Sequence, residues 1–188
     1  MTIRTRAARI AAVAALTVGL VGLGAPANAD FRSVPDPADA TGSLNDIRRV
    51  GIDHTKGRVW LRIKVTDLRR SPGAGHGFAS AGIYFDTKPG DKGPEYLLTT
   101  GLYSGMDYQL IEVEGFGTHT GEPMSCGHRI TLDYKRDVVR GWVARACLKR
   151  PDAVRLAVKM VDDYDASHPV VDWLKGKKKF TRAVAYTP

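Results

Sequence analysis

The chain has 188 residues, with 28 lysines and arginines against 20 acidic residues and a net charge of +8 at pH 7. That length is enough for one domain with its own core. The basic excess is mild and only one dense run carries it, Lys175, Lys177, Lys178 and Lys179 in WLKGKKKF, which excludes the basic stripe with interleaved aromatics of a nucleic-acid binder.

The first residues, MTIRTRAARIAAVAALTVGLVGLGAPANAD, carry Arg4, Arg6 and Arg9 and no acid until Asp30. An apolar run from Ile10 to Leu23 follows, then small residues ending in Ala27-Asn28-Ala29. This order predicts a secretory signal peptide over 1–29, cleaved after Ala29. The run is too short and too rich in alanine and glycine to span about 30 Å of hydrocarbon well. No second long apolar run follows, and no cysteine sits just past the cleavage point to take a lipid. The expectation is a secreted, extracellular chain without an integral membrane span, forming a single domain over 30–188. Losing the three leader arginines lowers its net charge to +5.

The segment from Asp30 to Gly42 reads as an extended lead-in. After it, short alternating stretches recur between turn signals. VWLRIKVT sets Val59, Leu61, Ile63 and Val65 against Trp60, Arg62, Lys64 and Thr66; VRLAVKM sets Val154, Leu156, Val158 and Met160 against Arg155, Ala157 and Lys159. Period two with one apolar face marks half-buried antiparallel strands. Further strands are predicted over 47–53, 78–86, 95–102, 107–114, 129–134, 138–143 and 179–186. The turns between them are HTKG, SPGAGHG, TKPGDKGP, YSGM, FGTHTGEP and YKRD. About nine strands without a long helix predict an all-β fold, a two-sheet antiparallel sandwich of jelly-roll-like form. ARACLKRP fits one helical turn stopped by Pro151.

Both cysteines fall in MSCGHRITLDYKRDVVRGWVARACL. Two strands around a tight turn at Lys135-Arg136 pair Leu132 with Val139 and Ile130 with Gly141. Continued outward, this register brings Cys126 opposite Arg145, close to Cys147. Outside the cytoplasm such a pair oxidises, and a Cys126–Cys147 disulfide is predicted. A metal site would need more ligands than nearby His128, and a catalytic thiol would need an activating base.

Several stretches together carry a resemblance. They are DPADATGSLNDI, the alternating pair IRRVGIDHTKGRVWLRIKVTDL, the strand ending in Asp-Thr within GIYFDTKPGDKGPEY, and the closing VVDWLKGKKKFT. The chain is similar in this order to small secreted bacterial β-sandwich proteins of unknown function. More distantly it resembles the jelly rolls of family 9 carbohydrate-binding modules and DOMON-type domains. That resemblance implies sugar, haem or metal binding on a sandwich. The haem-ligating methionine and histidine of DOMON domains have no counterpart here, nor do the paired sugar-sandwiching tryptophans of family 9 modules.

No HExxH, GxSxG, CxxC or phosphate-cradling glycine loop occurs. The histidines (54, 76, 119, 128 and 168) are scattered, mostly in predicted turns where they are solvated. Glu95, Glu112, Glu114 and Glu122 offer carboxylates, but nothing pairs them for glycoside hydrolysis. No catalytic residues and no cofactor are therefore expected. Aspartates gather in two places: Asp36, Asp39 and Asp46 at the lead-in, and Asp162, Asp163 and Asp165 in MVDDYDASH. They either cap turns or, at one of the two places, ligate one structural calcium.

Two tryptophans are candidate ligand-binding residues. Trp60 sits on the polar face of its strand. Pairing Ile52 with Val59 and Val50 with Leu61 sets Gly51 opposite it, so its ring either covers a cross-strand glycine or meets a ligand. Trp142 falls opposite Arg129, on which it would stack. Trp173 lies in a predicted loop, either stacking on a ligand or folding back as a lid. Two functions follow: a non-catalytic module binding extracellular glycan or cell-envelope polymer, or a structural protein that binds or inhibits another secreted protein.

Overall fold

The computed structural model describes residues 32–72, 77–117, 121–163 and 167–188. The expected signal peptide, His76, His119 and Asp165 lie outside the described residues. Among the described residues the chain is all-β without a helix, with eleven strands in two antiparallel sheets. The first sheet runs β1 (Arg32–Pro35), β2 (Ile47–His54), β3 (Arg58–Val65), β8 (Val138–Ala144), β7 (His128–Asp133). The second runs β10 (Val170–Trp173), β9 (Ala153–Asp162), β4 (Ala79–Asp86), β5 (Tyr96–Gly101), β6 (Tyr108–Glu112), with β11 (Val184–Ala185) also pairing with β9. Hairpin neighbours stay in one sheet, while the chain changes sheet after β3, β6 and β8.

The two inner faces share one core. Ile47, Ile52, Ile63 and Val139 of the first sheet, and Ile83, Phe85, Leu98, Leu156 and Val158 of the second, are all fully buried. Alternation on β3 is complete: Val59, Leu61, Ile63 and Val65 point inward while Arg58, Trp60 and Arg62 are exposed. β9 breaks the alternation at Leu156-Ala157-Val158, all buried. The cause is a second, smaller apolar cluster on the outer side of its sheet, where Tyr84, Leu97 and Ala157 are covered by Phe116, Trp173 and Phe180.

The β7–β8 hairpin takes the predicted register, with Leu132 opposite Val139 and Ile130 opposite Gly141. Gly141 is needed there: a Cβ would meet Ile130 Cδ1 at 2.7 Å and the Arg129 carbonyl at 3.1 Å. Past the strand ends the Ala144 N–H donates to the Gly127 carbonyl, and the predicted Cys126–Cys147 disulfide closes the open end with Cα atoms 6.0 Å apart. ARACLKRP forms a turn in which Cys147, Leu148 and Lys149 N–H groups donate three residues back, ended by left-handed Lys149 and Arg150.

The β2–β3 pairing differs from expectation by two residues. Ile52 faces Leu61, Asp53 faces Trp60, and Gly51 faces Arg62 rather than Trp60. A two-residue slip keeps every side chain on its face, so hydrophobic pattern cannot separate the two registers. The turn decides: His54 pairs with Val59, the Thr55 N–H donates to the Arg58 carbonyl, and only Lys56-Gly57 remain as the loop. β1 and β10 arise where an extended lead-in and a loop were predicted, and the strand expected over 179–186 shortens to β11. Both added strands have four residues and lie at sheet edges, β1 ending on a proline, which an edge tolerates.

Candidate ligand-binding surface

The β3–β8 pairing builds a feature that neither strand shows alone. It sets Trp60 directly beside Trp142 on the outer face of the first sheet, ring centroids 6.2 Å apart. The row across four strands is Asp53, Trp60, Trp142, Arg129, and the next is Gly51, Arg62, Arg140, Thr131. At the usual strand spacing each row is about 14 Å wide. Trp60 is 40% exposed. The cation stacked on Trp142 is Arg58, not Arg129: its guanidinium lies 4.0 Å from the Trp142 ring centre and 5.2 Å from that of Trp60. Beside the tryptophans lies a depression of about 470 Å³ lined by Gly51, Arg62, Arg129, Thr131 and Arg140.

The charges on this face are unbalanced. Arg140 pairs with Asp133 at 3.0 Å and Lys64 with Asp137 at 2.9 Å. Arg62 and Arg129 are exposed, and among the described residues neither has a carboxylate partner. Two adjacent indoles, their planes 56° apart, offer apolar ring surface with Trp60 the more open of the two, and guanidinium groups offer paired N–H donors for carboxylate, sulfate or phosphate oxygens.

Trp173 lies on the other sheet. It ends β10, half-buried, stacked on Tyr84 with centroids 5.8 Å apart and planes 17° apart, its edge against Phe116. It borders an open groove of about 550 Å³ whose lining includes Lys159, Lys177 and Lys178 as well as Asp39 and Asp172. The lysine run thus edges this groove rather than the tryptophan pair.

The aspartates at the lead-in do not gather as their sequence order predicts. Asp46 is consumed locally: its carboxylate accepts the Ala40 N–H, Arg48 and the Thr66 hydroxyl. Burial would raise its pKa, but these donors hold it below the ordinary value. Asp162 accepts the Ser43 hydroxyl, the Leu44 N–H and the Asn45 amide, so it binds the 43–45 segment to the second sheet. Asp163 is half-buried just past β9. Asp36 and Asp39 instead meet Asp172, from β10, with one oxygen of each carboxylate within 4.8 Å of the others. Asp172 accepts the Ile47 N–H at 2.6 Å and Asp36 accepts the Lys175 N–H at 2.7 Å. Burial, with neighbouring carboxylates adding, raises the pKa of Asp36 and pushes Asp172 up to about 6. Asp86, the last residue of β4, is fully buried and paired with Arg155 on β9.

The histidines divide. His168 is exposed and His128 half-buried, but His54, expected in a solvated turn, is the fully buried last residue of β2. Trp142, Arg58 and Asp172 were not singled out as site residues. Outward alternation around VVRGWV carried a signal for Trp142; none in the sequence linked Asp172 to Asp36. Comparison with protein-family models, curated proteins and solved structures finds no match.

Proposed function

We propose that this is a secreted, non-catalytic binding protein whose ligand is an acidic glycan or cell-envelope polymer, held on the outer face of the first sheet. The observation that carries the reading is the Trp60–Trp142 pair, its ring planes tilted 56° to each other, beside Arg62 and Arg129, which have no acid partners among the described residues. Pyranose rings present C–H faces that pack on indole, and acidic substituents at their edges take arginine N–H groups. The disulfide fits an oxidising compartment.

The test is retention of purified protein on insoluble acidic polysaccharide, neutral polysaccharide and isolated cell wall. Retention is expected on the acidic material and on cell wall, to weaken as salt rises, and to drop at least about tenfold in Trp60→Ala, the equivalent of about 1.4 kcal/mol. Retention on none of the three would favour the other function, a partner that is itself a secreted protein.

A further inference from the structure

We infer that Asp36, Asp39 and Asp172 form a binding site for a hard divalent cation of the calcium class, at the corner where the lead-in crosses the edge of the second sheet. Three carboxylates from two distant parts of the chain converge there within 4.8 Å. A second observation sets them apart from turn-capping aspartates. Asp36 is only 7% exposed; one of its oxygens accepts the Lys175 N–H, while Oδ2 is buried and has no hydrogen-bond partner among the described residues. A buried carboxylate oxygen without a donor is costly to leave unsatisfied. Asp172 is 5% exposed and has one backbone donor. Two nearly buried carboxylates therefore meet a third acid, and Asp36 Oδ2 has no donor among the described residues.

A cation bound by oxygens supplies what is missing. Calcium takes six to eight oxygen ligands in flexible geometry, and water commonly completes the set. Asp39 is exposed, and both Asp39 and Asp172 line the open groove, so an ion and its waters have a path in. The ion would join the lead-in after β1 to strand β10, tying one sheet to the other. The site is separate from the tryptophan face.

The experiment uses chelator-stripped protein, calorimetric titration with calcium chloride, and melting curves against sodium chloride of equal ionic strength. The expected result is one calcium per chain and a melting temperature that rises with calcium by mass action. Asp39→Asn is the informative variant, because Asp39 is exposed and its change leaves the backbone bonds of Asp36 and Asp172 intact. It should weaken calcium binding at least about tenfold, the loss seen even for second-layer partners of metal ligands, while melting without calcium no lower than the parent. Absence of heat and of a calcium-dependent shift in the parent overturns the inference and leaves a proton as what relieves the cluster. Parental calcium affinity in Asp39→Asn overturns it equally.

Discussion

At the residue scale, buried polar groups fasten the lead-in to the sandwich. Asp162 takes three donors from residues 43–45, two of them on the buried Ser43 and Asn45. Removing it strands those donors away from water, each worth about 1–3 kcal/mol when orphaned. Asp162→Ala is therefore expected to lower stability by roughly 3 kcal/mol in urea unfolding, and Asp162→Asn by less, since its amide oxygen still accepts. A loss under about 1 kcal/mol would mean that the 43–45 segment is held by other contacts. His54 makes a pH-dependent contribution. Its Nδ1 lies 3.2 Å from the Val184 carbonyl and its Nε2 has no partner among the described residues. Burial, with Arg145 adding, holds its pKa below the ordinary value, although the Val184 carbonyl pulls upward. Above pH ~6.5 the imidazole is neutral in both folded and unfolded chains. Below that the unfolded chain binds the proton first, so stability is lost as pH falls from about 6.5 toward the depressed folded value. His54→Gln, which does not titrate, is expected to flatten the melting temperature between pH 7 and pH 5. An unchanged slope would locate the acid sensitivity elsewhere.

At the element scale, the β7–β8 hairpin is the unit closed covalently. The disulfide spans a separation of 21 residues, and a loop of that size contributes roughly 3 kcal/mol by restricting the unfolded chain. Replacing both cysteines by serine should lower the melting temperature by about 6–12 °C for a domain of this size, with the circular dichroism of the folded state retained. A shift of only a degree or two would show that the hairpin register alone holds that end. This hairpin was legible in the sequence because its strands are joined by a short turn and one face of each is buried. The β2–β3 register was legible only to within two residues, because alternation is blind to a slip of two and the short Lys56-Gly57 loop settles it. β3 beside β8 was not legible, since those strands are not consecutive and no turn joins them. That pairing is what brings Trp142 to Trp60, so sequence supplied one half of the candidate site. Asp172 was missed for a similar reason: β10 reaches Asp36 only through the fold, and an aspartate facing inward in VVDW breaks the apolar alternation that marks a strand.

At the scale of the whole molecule, the two sheets differ on their outer sides. The second sheet covers its outer aromatics with the loop at Phe116 and with Trp173 and Phe180, so that face is largely occupied by the chain itself. The first sheet leaves Trp60 exposed beside Trp142, with arginines around the pair. The proposed ligand face is the one that the described residues leave uncovered, and the proposed cation site lies on the other sheet's edge. Titrating an acidic oligosaccharide into isotope-labelled protein, and following backbone, indole and guanidinium signals by NMR, tests that assignment most directly. Saturable shifts are expected at the indole N–H groups of Trp60 and Trp142 and at the side chains of Arg62 and Arg129, with Trp173 unmoved. Saturable shifts centred on Trp173 and its groove, or none at either face, would contradict it.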